Sequence, residues 1–207
     1  TLRLGYAKSK LSLDSSRLPA VAAAYRGLAP YAALVGSSAA AYNYFADQIA
    51  TQNASSSFIG LGATWDYNNW VLAGEFTKRR TDSYVPDTTG WYTSVGYRVG
   101  KFTPYAYVSR LKQDSQPVNP IPANITAANL RTASAYGTAI LDNADIAQKS
   151  VAVGVRWDAF KSAAVKAQFE SIKPDSATGL LYAAPTSTAN VRDKTISVFS
   201  LSVDFVF

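Results

Sequence analysis

The 207-residue chain has no cysteine, no methionine and no histidine. Disulfides, thiolate catalysis, and metal sites or catalytic triads built on histidine are therefore excluded. Charged residues make up only 16% of the chain. No run of about 18 apolar residues offers a membrane-spanning helix. The Ala-rich stretch 20–50 is broken by Gly27, Pro30 and Gly36. No signal peptide is visible, and the chain opens on Thr1 rather than methionine, so a processed or partial chain is expected.

What is present is aromatic and basic. Aromatics reach 13%, with 13 Tyr and 4 Trp, although the mean hydropathy is −0.04. Twenty Lys and Arg outnumber 14 Asp and Glu, giving +6 and an isoelectric point near 9.4. Such a surplus favours anionic partners.

The dominant pattern is alternation, the period of a strand with two different faces. Ile59, Leu61, Ala63 and Trp65 alternate with Gly60, Gly62, Thr64 and Asp66. Trp70, Leu72 and Phe76 alternate with Val71, Ala73, Glu75 and Arg79. Trp91, Val95 and Tyr97 alternate with Tyr92, Ser94 and Arg98. Val151 to Trp157, Val165 to Phe169 and Phe199 to Phe207 repeat the pattern against Arg156, Asp158, Lys166, Glu170 and Asp204. Phe102–Lys112 reads as a strand of ambiguous facing. Thr1–Leu13 reads as one whose parity breaks near Lys8, as at a β-bulge.

Eight strands of about ten residues suit a tilted membrane strand. Short connections (67–69, 100–101, 159–163) take turns with long ones (14–56, 81–89, 113–147, 173–192), the layout of an outer-membrane barrel. The short turns would be periplasmic and the long loops extracellular. Helices are expected within loop segments 18–50 and 124–141, the second opened by Pro122 and Asn124 as cap residues. Residues 1–207 thus read as a single domain of the all-β class, an antiparallel transmembrane β-barrel with helical loops.

The apolar parity carries Trp65, Trp70, Tyr97, Trp157, Phe205 and Phe207 near the strand ends, where a membrane-interface girdle would lie. A soluble sandwich explains neither this girdle nor the loop asymmetry. The polar parity supplies a candidate pore lining: Glu75, Arg79, Arg98, Arg156, Asp158, Lys166, Glu170 and Asp204. Its arginines either form a ladder that favours anions or pair with Glu75, Asp158 or Glu170 and hold the wall. The run Lys78–Arg80, with Arg110, could bind lipopolysaccharide phosphates at the rim.

The segments LRLGYAKSKLSLDS, FIGLGATWDYNNWVLAGEFTKRRTDSYVPDTTGWYTSVGYRVGKFTPYAYVSRLKQDS, VAVGVRWDAFKSAAVKAQFESIKP and VFSLSVDFVF resemble the C-terminal half of proteobacterial general porins of the phosphate-selective and dicarboxylate type. The resemblance covers most strands and short turns, while the long loops match poorly. It implies a barrel of about 16–18 strands, commonly a homotrimer, of which these eight would be half. It also implies residence in the bacterial outer membrane among lipid and lipopolysaccharide. The aromatic C-terminal strand would be read by the barrel-assembly machinery.

Eight strands could instead close on themselves, but the charged inward set would then be buried dry, at several kcal/mol per unpaired ion. No catalytic constellation, metal site or cofactor motif is found, and Gly60-Leu61-Gly62 is no phosphate loop. The aromatics alternate on the apolar face, which disfavours a nucleic-acid groove. The sequence therefore points to a porin passing small anionic or neutral hydrophilic solutes with mild anion preference. The alternative is a small closed structural or adhesive barrel without a pore.

Overall fold

A computed structural model describes residues 1–175 and 191–205. Eight strands form one sheet in sequence order, each pairing antiparallel with its neighbours. They are β1 (Leu2–Leu11), β2 (Ala54–Tyr67), β3 (Trp70–Thr81), β4 (Asp87–Tyr97), β5 (Phe102–Ser115), β6 (Gln148–Phe160), β7 (Ala163–Pro174) and β8 (Ile196–Phe205). The β2–β3 hairpin turns tightly because Asn68 accepts a left-handed backbone (φ 52°), which asparagine tolerates. Gly100 does the same after β4 (φ 60°).

Among the described residues β1 and β8 do not pair with each other, so both edges of the sheet are open. The described strands do not make the β1–β8 pairing that eight strands closed on themselves would need.

Register fixes the faces. Tyr6 pairs with Ile59, Leu61 with Phe76, Leu72 with Val95, Ala106 with Val153, and Phe169 with Phe199. These residues share one face with Trp65, Trp70, Tyr97, Trp157 and Phe205; Phe207 lies outside the described residues. The β5 ambiguity resolves: Val95 opposite Ala106 and Gly96 opposite Tyr105 put Ala106 and Val108 on the apolar face and Tyr105 and Tyr107 on the polar one. The suspected bulge near Lys8 is absent. β1 pairs with β2 without interruption from Leu2 to Leu11, so Lys8 and Lys10 stay on the face of Leu2, Leu4 and Tyr6. The chemistry of that face changes along the strand, and its register does not.

Among the described residues nothing covers the apolar face. Leu4 is 77% exposed on the edge strand, and even the central Val153 is 56% exposed. The buried apolar core lies in the long loops instead. Helix α1 (Leu18–Leu28) starts with proline in its first turn and continues into a 3-10 helix, Ala29–Val35. Helix α2 (Ala39–Ala50) is capped by Ser38, whose hydroxyl accepts from the Ala41 N–H at 3.1 Å. Helix α3 (Ala128–Ala144) begins later than the sequence suggests. Its N-cap is Ala127 with no side-chain cap, so Pro122 and Asn124 do not open it. Tyr25, Tyr42, Phe45 and Ile49 are fully buried where these helices meet. Leu13, Tyr84 and Ile121 join them, so three long loops share one core at one end of the sheet. Among the described residues no helix packs against a strand. The joined span Leu18–Val35 has the length and composition of a membrane helix, yet it bends into the 3-10 form at Ala29 and packs in this cap.

Candidate pore wall

Each face of a strand repeats every second residue, so a polar wall needs only one parity to be hydrophilic. Arg3, Glu75, Tyr92, Ser94, Tyr105, Tyr107, Arg156, Lys166, Gln168 and Glu170 fall on that parity by register. Strands two apart in a sheet lie roughly 9.5 Å from each other. On this face side chains repeatedly bridge that gap. Arg98, at the end of β4, grips Asp66 of β2 through two nitrogens at 2.7 and 2.5 Å, over β3. Arg156 of β6 binds Asp158 at 2.9 Å and reaches Asp204 of β8 at 3.7 Å, over β7. Tyr105 of β5 donates to Gln168 of β7 at 2.8 Å, over β6, and Lys166 of β7 stands over the Tyr105 ring at 5.2 Å. The described aromatic pairs of the opposite face leap no strand: Trp65 meets Tyr67 within β2 at 5.7 Å, and Trp70 with Tyr97 at 4.9 Å and Phe102 with Trp157 at 6.0 Å join adjacent strands. The polar face is the concave one.

Two groups result. Near the short turns, Arg98 and Arg156 are engaged by Asp66, Asp158 and Asp204. Of the three acids expected as arginine partners only Asp158 is used; Glu75 and Glu170 form no ion pair among the described residues. These pairs are about half exposed and screened by water, so they add little to stability. Arg79 sits apart at the loop end, donating to the Pro86 carbonyl at 3.0 Å, and so ties down the β3–β4 loop.

The second group is mid-wall. A cavity of about 430 Å³ is lined by Tyr92, Ser94, Tyr105, Tyr107, Lys166 and Gln168. Gly154 gives this group its shape, because a Cβ there would collide with the Tyr105 ring and hydroxyl. The inward glycine makes room for a tyrosine laid across the wall rather than leaving space empty. The three tyrosines and Gln168 were missed as site residues. For Tyr105 and Tyr107 the signal was hidden while the facing of β5 stood open; Tyr92 already stood on the polar parity but carried no charge to mark it.

The chemistry available is binding and sorting. The wall offers fixed charges, hydroxyls, an amide and aromatic faces to a hydrated solute.

No protein-family model matches the chain, and no curated protein sequence does. Among solved structures, it is similar to OccK3 (OpdO) of Pseudomonas aeruginosa, at 13% identity and a TM-score of 0.36, over 72% of this chain and 44% of that one. It is similar to a BenF-like porin of Pseudomonas fluorescens Pf-5, at 14% identity and a TM-score of 0.37, over 74% and 44%. It is also similar to OccK10 (OpdN) of Pseudomonas aeruginosa, at 13% and 0.36, over 72% and 46%. The chain spans less than half the length of each of these proteins.

Proposed function

We propose that the sheet is an arc of a porin wall in a bacterial outer membrane. A barrel of 16–18 strands would enclose a water-filled channel for small hydrophilic solutes, with no reaction step. One observation carries the reading. The convex face is an apolar surface with aromatics at its turn end and no cover among the described residues, while the concave face is polar, charged and laced by ion pairs. A water-soluble protein rarely exposes a contiguous apolar patch beyond a few hundred Å². The open edges of β1 and β8 support the larger barrel, since unpaired backbone groups in lipid each cost several kcal/mol.

A mild anion preference belongs to the same reading. Of the cations on the wall, Arg98 and Arg156 are neutralised by their three aspartates. Lys166 bears on the mid-wall cavity with no acid partner among the described residues, and we assign the preference chiefly to it. Lipid and lipopolysaccharide would surround the convex face. The porin resemblance adds a homotrimer and recognition of β8 by the barrel-assembly machinery.

The test is single-channel conductance of the purified protein in planar bilayers, with reversal potentials under a KCl gradient. Stepwise openings are expected, with an anion preference that falls when Lys166 becomes Gln and changes less for Arg98→Ala or Arg156→Ala. Correctly folded protein that never conducts refutes the porin reading. Conductance indifferent to ion charge in all variants refutes the anion preference alone.

A further inference from the structure

The convex face changes character along its strands. From turn end to loop end, β6 presents Trp157, Val155, Val153, Val151 and then Lys149, while β7 presents Val165, Ala167, Phe169, Ser171 and then Lys173. Strand β5 ends the same way at Arg110, directly opposite Lys149, and Lys149 is directly opposite Lys173. Three cations therefore stand side by side in one row, with neighbouring Cβ atoms roughly 5 Å apart. Like charges so placed repel, and a sheet gains nothing by aligning them unless an anion sits among them.

The protein supplies little of that anion. Asp175 approaches Arg110 at 3.9 Å and Asp193 approaches Lys173 at 3.4 Å, serving the two outer members of the row. The central Lys149 has neither an acid nor a hydrogen-bond partner among the described residues. Beneath the row lies a shallow cavity of about 390 Å³ whose floor is Val108, Val151 and Ser171, with Trp91 at its side. Basic residues mark the loop end of the same face elsewhere, at Lys8 and Lys10 on β1 and Lys78 and Arg80 on β3. Its apolar middle and turn end carry no charged residue in the described strands.

Cations above and apolar floor below match a ligand that is anionic at one end and oily at the other. We infer that Arg110, Lys149 and Lys173 form a site for the phosphorylated headgroup of a membrane glycolipid, whose acyl chains run down the Val108–Val151 floor. The inference rests on the proposed membrane setting and goes beyond it by assigning the site, its residues and its ligand chemistry. Phosphate oxygens would accept charge-assisted hydrogen bonds from Lys149 and its neighbours and relieve their repulsion.

The experiment uses the purified protein in neutral detergent, titrated with bisphosphorylated lipid A and with the same lipid stripped of phosphate. Bound lipid is counted by native mass spectrometry, and folding is checked by heat-modifiable gel migration. Wild type is expected to bind the phosphorylated form at least tenfold more tightly. The double substitution Lys149→Gln/Lys173→Gln should remove that margin, and Lys149→Arg should restore most of it in the single-site series. Equal affinity of wild type for the two lipids overturns the inference without any variant, as does a folded double variant that binds like wild type. Displacement of the lipid by equimolar inorganic phosphate overturns the lipid assignment in favour of a free-anion site. A protein that conducts in bilayers but ignores the phosphates fails this inference alone. One that never enters a bilayer fails the porin reading.

Discussion

Replacing Val153 by Arg tests which solvent the convex face meets. Val153 lies midway along β6 between Lys149 and Trp157, four residues from each. At roughly 3.3 Å per residue the interval is about 26 Å along the strand, or about 20 Å once a barrel tilt near 40° is allowed. That approaches the ~25 Å apolar band of an outer-membrane barrel, with Val153 near its middle. An arginine there is expected to cost about 2–4 kcal/mol in a bilayer, a shift of roughly 30-fold to nearly 1,000-fold in the unfolding equilibrium. In water the same change at a residue 56% exposed would move stability by no more than about 0.5 kcal/mol. The matched control is Ser94→Arg on the concave face, where a cavity gives the side chain room and the cost should stay under about 1 kcal/mol. The assay is urea unfolding from phospholipid vesicles, followed by tryptophan fluorescence. Equal stability of wild type and Val153→Arg, or a larger penalty for Ser94→Arg, would refute the assignment of the faces.

Three further outcomes concern the cap and the wall. The Tyr25 hydroxyl shares its one proton between the Asn119 side-chain oxygen at 2.9 Å and the Ala133 carbonyl at 3.1 Å, so Tyr25→Phe should loosen the helices by about 1–2 kcal/mol, seen as faster amide exchange in α1 and α3. Burial raises the Tyr25 ionisation well above the ordinary tyrosine range, and burial raises Tyr42 and Tyr84 as well. The unfolded cap therefore loses its phenolic protons first. Cap stability is full below about pH 10 and falls as pH rises past it, a loss of helical circular dichroism that Tyr25→Phe should make shallower. Gly137→Ala would drive a methyl into the Tyr25 hydroxyl and to 3.1 Å from the Phe45 ring. It should destabilise the cap by about 1–3 kcal/mol, measured by amide exchange, although alanine is the better helix former. Asp66→Asn removes the partner of Arg98; the unfolding midpoint should barely move while the reversal potential moves toward anions, and an unchanged potential would place the pair outside the ion path.

The strands were legible because two solvents write opposite chemistry on alternate residues. Where that contrast faded, so did the reading. Lys8 and Lys10 broke the apolar parity of β1 and suggested a bulge, when the strand had only passed from its oily stretch into its charged one. Helix α3 was opened too early at Asn124. The segment before it is spent on packing: Ile121 enters the cap core, and the Asn119 amide donates to the Ser134 carbonyl and the Thr138 hydroxyl, both at 3.0 Å. The ion pairs were the least legible. Which acid meets Arg98 or Arg156 depends on contacts that leap a strand, and these depend on sheet curvature, which no local pattern encodes.

The cap and the sheet share a polypeptide but answer to different forces. The cap's core of Tyr25, Tyr42, Phe45 and Ile49 is held by exclusion from water, and among the described residues no helix leans on a strand. On the porin reading, the sheet's apolar face needs lipid or detergent and gains little from water. Moderate urea weakens the first kind of cohesion directly. A concentration window should therefore exist in which the helices have melted while the strands remain paired. Within it, the conductance expected of the proposed porin could be recorded with and without the cap on a single molecule, by perfusion alone and with no residue changed.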